Sequence, residues 1–277
     1  MDKKALRRFF YLNLNLINPA FPMTVAPRFR AAAVAAGIHL ICSLLVAALA
    51  GALVLGLWYP YPYREMSGGR ELFFLIVGVD VVCGPLLTMV LFNPSKPRGE
   101  LWRDLGLVGL LQLVALGYGL ATVSQARPLF LAHERDRFKV VMAADIDSNA
   151  LAALPTSLKP RFASGPLTVA LREPASSEER NRVMLESVQG GRDYAERPEF
   201  YLPYEGTNAL KSLRLAKPLP SFLEKYPSQV DVASKLAGQK RANIADWVYL
   251  PVIARQDWVA VLDKQGQIQG FLKGDGF

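Results

Sequence analysis

Residues Ala31–Trp58 read AAAVAAGIHLICSLLVAALAGALVLGLW, 28 positions without a charge and with His39 as the polar outlier. A buried helix of a soluble protein rarely runs so far uncharged, and about 20 apolar residues suffice to cross the hydrocarbon core of a bilayer. The run is therefore a membrane span. Two further runs follow. Leu72–Phe92 has 21 residues and is interrupted by Asp80 and the Gly84-Pro85 pair, and Leu105–Val123 has 19 residues with Gln112 inside. The whole chain of 277 residues is 51% hydrophobic and 20% charged, and its apolar residues concentrate in the first 123 positions. That distribution excludes a disordered chain and a purely cytosolic protein. The expected organisation is a basic N-terminal segment at 1–30, a three-helix transmembrane region at 31–123 (31–58, 72–92, 105–123) and a soluble domain at 124–277.

The net charge of +8 divides into +5 over residues 1–123 and +3 over residues 124–277, where 21 basic residues face 18 acidic ones. Charges in the second part are mixed along the chain. A nucleic-acid binder would gather them into a patch, so no nucleic-acid partner is expected. Orientation follows from Lys and Arg near the span ends. Six precede span one (Lys3, Lys4, Arg7, Arg8, Arg28, Arg30), two lie between spans one and two (Arg64, Arg70), and three lie between spans two and three (Lys96, Arg98, Arg103). This pattern puts the N-terminus in the cytoplasm and the domain after span three outside it. Trp58, Tyr59, Tyr61 and Tyr63 would form an aromatic belt at the outer interface, and Trp102 would mark the inner one. Cys42 and Cys83 both fall inside spans, so the outer domain folds without disulfides. Met23 competes with Met1 as the start. Ala48-Leu49-Ala50 resembles a signal-peptidase site, but the apolar run continues to Trp58, which favours an uncleaved anchor.

Polar residues inside the spans are the informative ones. A carboxylate near mid-bilayer costs about 2.5–3.5 kcal/mol, so Asp80 needs a partner, protonation or a helix-facing position. At about 1.5 Å rise per residue, Asp80 and Tyr118 lie roughly 12 and 8 Å below the outer ends of their spans, while His39 and Gln112 lie roughly 12 and 10 Å above the inner ends. Two layers of a polar seam are expected: Asp80 with Tyr118, and His39 with Gln112. Pro85 removes a backbone donor and crowds the preceding turn, leaving a carbonyl near Val81 in need of a neighbour. The seam is read either as glue between helices or as a site receiving another protein's membrane helix; three spans seldom build a proton or ion path. Small residues four apart in span one (Ala32/Ala36, Ala33/Gly37, Ala47/Gly51, Ala48/Ala52) permit close helix approach.

The outer domain is expected to be α+β with an antiparallel sheet. Strands are read at Arg135–Ile146 and Leu167–Leu171. A helix capped by Ser176 runs to Val188, with Val183, Met184 and Val188 as its apolar stripe. Phe222–Leu236 is partly helical, and Trp247–Ala254, Trp258–Leu262 and Ile268–Leu272 form a meander. A search for chemistry is negative: the domain has one histidine, His133, no cysteine, and none of HExxH, GxSxG, a P-loop or a Gly-rich dinucleotide turn. No catalytic residue, cofactor or metal is expected, and the protein is read as not an enzyme. Asp145 and Asp147 are a turn or helix cap sooner than a cation site. Arg192, Arg197 and Arg214 read as surface charges. Phe200, Tyr201 and Tyr204, beside Pro198 and Pro203, are either a packed loop or a partner-facing strip.

Gly78-Val79-Asp80-Val81-Val82-Cys83-Gly84-Pro85-Leu86-Leu87-Thr88, followed by Phe92-Asn93-Pro94-Ser95-Lys96-Pro97-Arg98, Leu111-Gln112-Leu113 and Tyr118-Gly119, resembles the type IV pilin accessory proteins (the TfpX/TfpZ family). Ala126-Arg127-Pro128, Asp136-Arg137-Phe138, Asp145-Ile146-Asp147, Gly37-Ile38-His39-Leu40, Tyr201-Leu202-Pro203-Tyr204 and Leu250-Pro251 extend the resemblance over about residues 30–277. It implies a bacterial inner-membrane protein with a periplasmic domain that acts as a non-enzymatic chaperone in type IV pilus assembly. The implied partners are the bilayer and the pilin subunit, through its membrane helix and periplasmic head. The seam of His39, Asp80, Gly84, Pro85, Gln112 and Tyr118 would hold the helix, and Phe200, Tyr201 and Tyr204 would touch the head. The rivals are a sensory receptor, which would need a partner kinase because the inner loop Asn93–Asp104 has only 12 residues, and a membrane enzyme.

Overall fold

A computed structural model describes residues 25–277 apart from Ala163, Arg241 and Ala242. The choice between Met1 and Met23 lies outside the described residues. The chain divides into two compact units, one holding the described residues up to Leu45 with Val79–Ala115, the other Val46–Gly78 with Leu116–Phe277.

Three long helices carry the apolar runs. Helix α1 spans Val25–Gly51 and continues as a π-helical segment, Ala52–Trp58. Helix α2 spans Gly69–Leu91 with Pro85 inside it, and α3 spans Arg98–Gln125. All three are long and apolar enough to cross a membrane. Their outward residues, including Ile41, Leu45, Leu75, Val90, Leu107 and Leu113, are exposed, as expected where lipid is the solvent. Ala48-Leu49-Ala50 lies inside continuous α1. In the first unit α1 buries Ala32, Ala36 and Ser43, positions that share one helical face and include one of the small-residue pairs.

The second unit is built on an eight-stranded sheet. Its strands are β1 (Pro128–Glu134), β2 (Arg137–Met142), β3 (Leu167–Leu171), β4 (Tyr201–Pro203), β5 (Lys217–Pro218), β6 (Val248–Ile253), β7 (Trp258–Leu262) and β8 (Ile268–Lys273). The order is β4-β3-β1-β2-β6-β7-β8, with β5 on β6. The expected meander is β6-β7-β8. The sheet is mostly antiparallel, as expected, and mixed: β1/β3 and β2/β6 are parallel. The sequence signal for β1 was weak because Pro128–His133 is buried along its whole length and does not alternate.

Alternation along the strands sorts the core onto two faces. Leu131, Phe138, Val140, Leu250, Val252, Trp258, Ala260 and Leu262 belong to one face. Leu129, Phe130, Val141 and Val169 belong to a cluster on the other, joined further along the sheet by Tyr249, Val259, Val261 and Leu272. Two residues of the first face come from the short connection between α1 and α2: Met66 is fully buried and Tyr63 is 8% exposed. Gln256 N–H donates to the Met66 carbonyl at 3.2 Å. Tyr59 packs on Gly69, where a Cβ would collide with its ring, and its hydroxyl donates to the Val123 carbonyl at 3.2 Å. The aromatic belt is therefore corrected: Trp58, Tyr59 and Tyr63 are buried and Tyr61 is exposed, because Trp58 and Tyr59 pack with Ala50, Val54, Phe73 and Val123 while Tyr63 joins the first face of the sheet. Trp102, in the first turns of α3, is exposed.

The helix expected after Ser176 spans Ser177–Val188, and Ser176 Oγ accepts the Glu179 N–H at 3.1 Å. Of its apolar stripe only Val183 is buried; Met184 and Val188 are exposed. Asp147 caps Ser148–Ala153 through the N–H groups of Asn149 and Ala150, and Asp145 accepts the Met142 N–H, so both carboxylates serve the backbone. His133 packs against the rings of Phe138 and Tyr204, which also touch each other, and burial pulls its pKa below the usual histidine range.

Candidate functional site

The polar residues of the first unit meet in one hydrogen-bonded chain. Gln112, buried on α3, donates through Nε2 to the Asp80 carbonyl at 2.8 Å, with Asp80 Oδ1 further off at 3.4 Å. That donation turns Oε1 toward α1, where it accepts from His39 Nε2 at 2.5 Å. His39 Nδ1 in turn lies 2.5 Å from Thr88 Oγ1 on α2. One side chain from each of α1 and α3 and two residues of α2 thus share a continuous polar path among otherwise apolar helices.

Local sequence explains why the path forms here. Gly84 is buried, and a Cβ there would run into the Gln112 amide, so glycine is what lets Gln112 reach the α2 backbone. Pro85 cannot donate to its own helix, and the carbonyl that Gln112 satisfies belongs to Asp80, one residue before the Val81 group expected to need a neighbour. Asp80, Gly84 and Thr88 are spaced by four, which sets them on one face of α2.

The sequence layers are partly rearranged. His39 and Gln112 meet as expected. Asp80 pairs with Gln112, whose extended amide spans both expected layers, and Tyr118 sits elsewhere: it is 77% exposed, and its backbone carbonyl accepts the Thr122 hydroxyl at 3.0 Å. Thr88 was missed as a member of the seam. Its four-residue spacing from Gly84 was the available signal, and it is 2% exposed. Beside His39, Arg30, Ala31, Val34, Ala35 and Ile38 of α1 with Phe92 line an open apolar groove of about 540 Å³.

The aromatic strip of the domain is corrected by burial. Phe200 is fully buried against Tyr194, with the Arg172 guanidinium 4.2 Å from its ring. Tyr201 packs on Phe130 and donates to the Ala195 carbonyl at 2.7 Å, and Tyr204 donates to the Gly266 carbonyl at 2.7 Å. These rings are core, the packed-loop alternative, because their hydroxyls and faces are consumed internally. Arg197 also turns inward, with 12% of its side chain exposed and an ion pair to Glu186 at 2.8 Å. Among the described residues, no group of three or more His, Cys, Asp or Glu is placed to hold a metal.

A family model described as fimbrial assembly protein FimB matches residues 27–68. The chain is 36% identical over 258 residues to the fimbrial assembly protein of serogroup I of Dichelobacter nodosus, covering 90% of this chain and 98% of that relative. It is 35% identical over 258 residues to the serogroup E1 protein of the same organism, with the same coverage. The protein of serogroups C1 and C2 matches at 44% over 119 residues, 43% of this chain and 91% of that relative. No solved structure matches the chain.

Proposed function

The chain belongs to the family of fimbrial assembly proteins, and from that premise we propose that it is a non-catalytic membrane chaperone that holds the type IV pilin subunit before or during assembly. The observation that carries this reading is the Thr88–His39–Gln112–Asp80 chain. Polar side chains are costly in hydrocarbon and are retained where they bind something. A pilin subunit carries an apolar helix that needs a seat within the bilayer. His39, Asp80, Gly84, Pro85 and Gln112 form the seat, and the apolar groove beside His39 supplies surface for the helix.

In this reading the protein lies in the bacterial inner membrane with its N-terminus in the cytoplasm and the sheet domain in the periplasm, as the Lys and Arg counts around the spans support. The domain meets the pilin head through surface other than the buried rings of Phe200, Tyr201 and Tyr204. Co-purification of the cognate pilin with full-length protein tests the seat: Asp80→Leu should reduce recovered pilin while leaving the amount of folded chaperone unchanged. Equal recovery from both forms removes the membrane seat from the mechanism. Reporter fusions at Phe277 that are active only in the cytoplasm would reverse the orientation.

A further inference from the structure

Trp58 ends the first apolar helix yet is only 4% exposed, so it cannot itself face lipid headgroups. An exposed aromatic ring stands beside it instead. Phe162, 104 residues downstream, is 63% exposed, and its ring centroid lies 5.4 Å from that of Trp58, edge to face. Its position is fixed twice. Trp58 Nε1 donates to the Phe162 carbonyl at 3.1 Å, and Arg127 Nη1, two residues beyond the end of α3, donates to the same oxygen at 3.3 Å. The Arg127 guanidinium also lies 5.6 Å from both rings. The turn is closed by Ser164 Oγ, which accepts the Arg161 N–H at 3.2 Å and bonds the Arg161 carbonyl at 3.1 Å. Lys159 and Arg161, three and one residues before Phe162, are exposed.

The turn is thus tied to the ends of two apolar helices. In the spanning reading those helix ends mark the start of the polar zone of the bilayer, about 5–8 Å thick on each side, and the ring is tied to them. Aromatic rings and cations are the residues that this zone favours. A lone exposed phenylalanine needs no explanation, but one tied by hydrogen bonds to the ends of two apolar helices and preceded by two exposed cations does. We propose that Lys159, Arg161 and Phe162 form a membrane-contacting foot of the sheet domain. Phe162 seats at the boundary of the acyl chains, and Lys159 and Arg161 bind the phosphates of anionic phospholipid. The foot holds the domain against the leaflet at the Trp58 end of the helices. It rests on the reading that those helices cross a bilayer.

Full-length protein carrying Cys42→Ser and Cys83→Ser, reconstituted into nanodiscs of phosphatidylcholine with or without phosphatidylglycerol, tests the proposal. A fluorophore is placed singly by Phe162→Cys, Val188→Cys or Leu113→Cys and quenched with lipids spin-labelled at shallow or deep positions. Val188 and Leu113 are exposed on the Ser177–Val188 helix and on α3. The expected result is strong shallow quenching at 162, several-fold above that at 188, and deep quenching at 113. Quenching at 162 no greater than at 188, with 113 quenched, overturns the foot alone. Loss of quenching at 113 overturns the spanning reading and the foot with it. Lys159→Gln with Arg161→Gln should abolish the phosphatidylglycerol-dependent part of quenching at 162; an unchanged dependence overturns the phosphate contact.

Discussion

Replacing Gln112 with leucine removes the centre of the polar chain at nearly constant volume. Two close bonds are lost, from His39 Nε2 at 2.5 Å and to the Asp80 carbonyl at 2.8 Å. Hydrogen bonds between membrane helices average about 0.6 kcal/mol and reach about 1.7 kcal/mol. Two of them predict a loss of about 1–3 kcal/mol, readable from reversible unfolding of the full-length protein in mixed detergent and dodecyl sulfate micelles. A double-mutant cycle with His39→Leu isolates one bond, and its coupling should fall at about 0.6–1.7 kcal/mol. Gly84→Ala should destabilise the wild type, because the new methyl occupies the space of the Gln112 amide. In a Gln112→Ala background the same change should be nearly neutral. A His39–Gln112 coupling of zero, or a Gly84→Ala penalty independent of residue 112, refutes the seam as an energetic unit.

Met66 is fully buried in the sheet domain although it comes from the connection between α1 and α2. Met66→Ala should cost about 2–5 kcal/mol, as for other large-to-small core changes; calorimetry showing no drop in melting temperature would mean that this connection is not part of the core. The Arg172 guanidinium, bonded to Glu179 at 2.9 and 3.0 Å, and the Ala175 N–H hold the Glu179 carboxyl at about 2, below its ordinary 4.5. Because the folded value is the lower one, the stabilisation is complete above the ordinary value and is lost as pH falls toward about 2. Glu179→Gln should flatten that part of the acid limb in melts across this range, and parallel limbs would contradict the assignment.

Several features were legible from residues alone because their signals are local. The three long apolar helices follow from run length and absence of charge, and the Ser176 cap and the β6-β7-β8 meander follow from short-range pattern. The pairing of His39 with Gln112 came from depth arithmetic, which needs only the rise of a helix. Depth arithmetic also paired Asp80 with Tyr118. It failed there because depth says nothing about rotation around the helix axis, and Tyr118 faces outward while Gln112 is long enough to reach Asp80. Thr88 escaped because a hydroxyl among apolar residues is a weak signal until its helix face is known. The rings at Phe200, Tyr201 and Tyr204 could not be sorted between core and surface, since an aromatic loop reads the same in both settings.

Composition and periodicity by themselves determined that the chain has three apolar helices followed by an α+β domain, because hydrophobic run length and alternation are properties of neighbours in the chain. Tertiary structure decided what those elements share. Parallel pairing in β1/β3 and β2/β6 depends on crossovers between distant segments. So do the recruitment of Tyr63 and Met66 into the sheet core, the burial of Trp58 under Phe162, and the joining of Thr88, His39, Gln112 and Asp80 into one path. In each case the deciding energy is a contact between residues far apart in sequence, and no local pattern encodes which distant partner will be met.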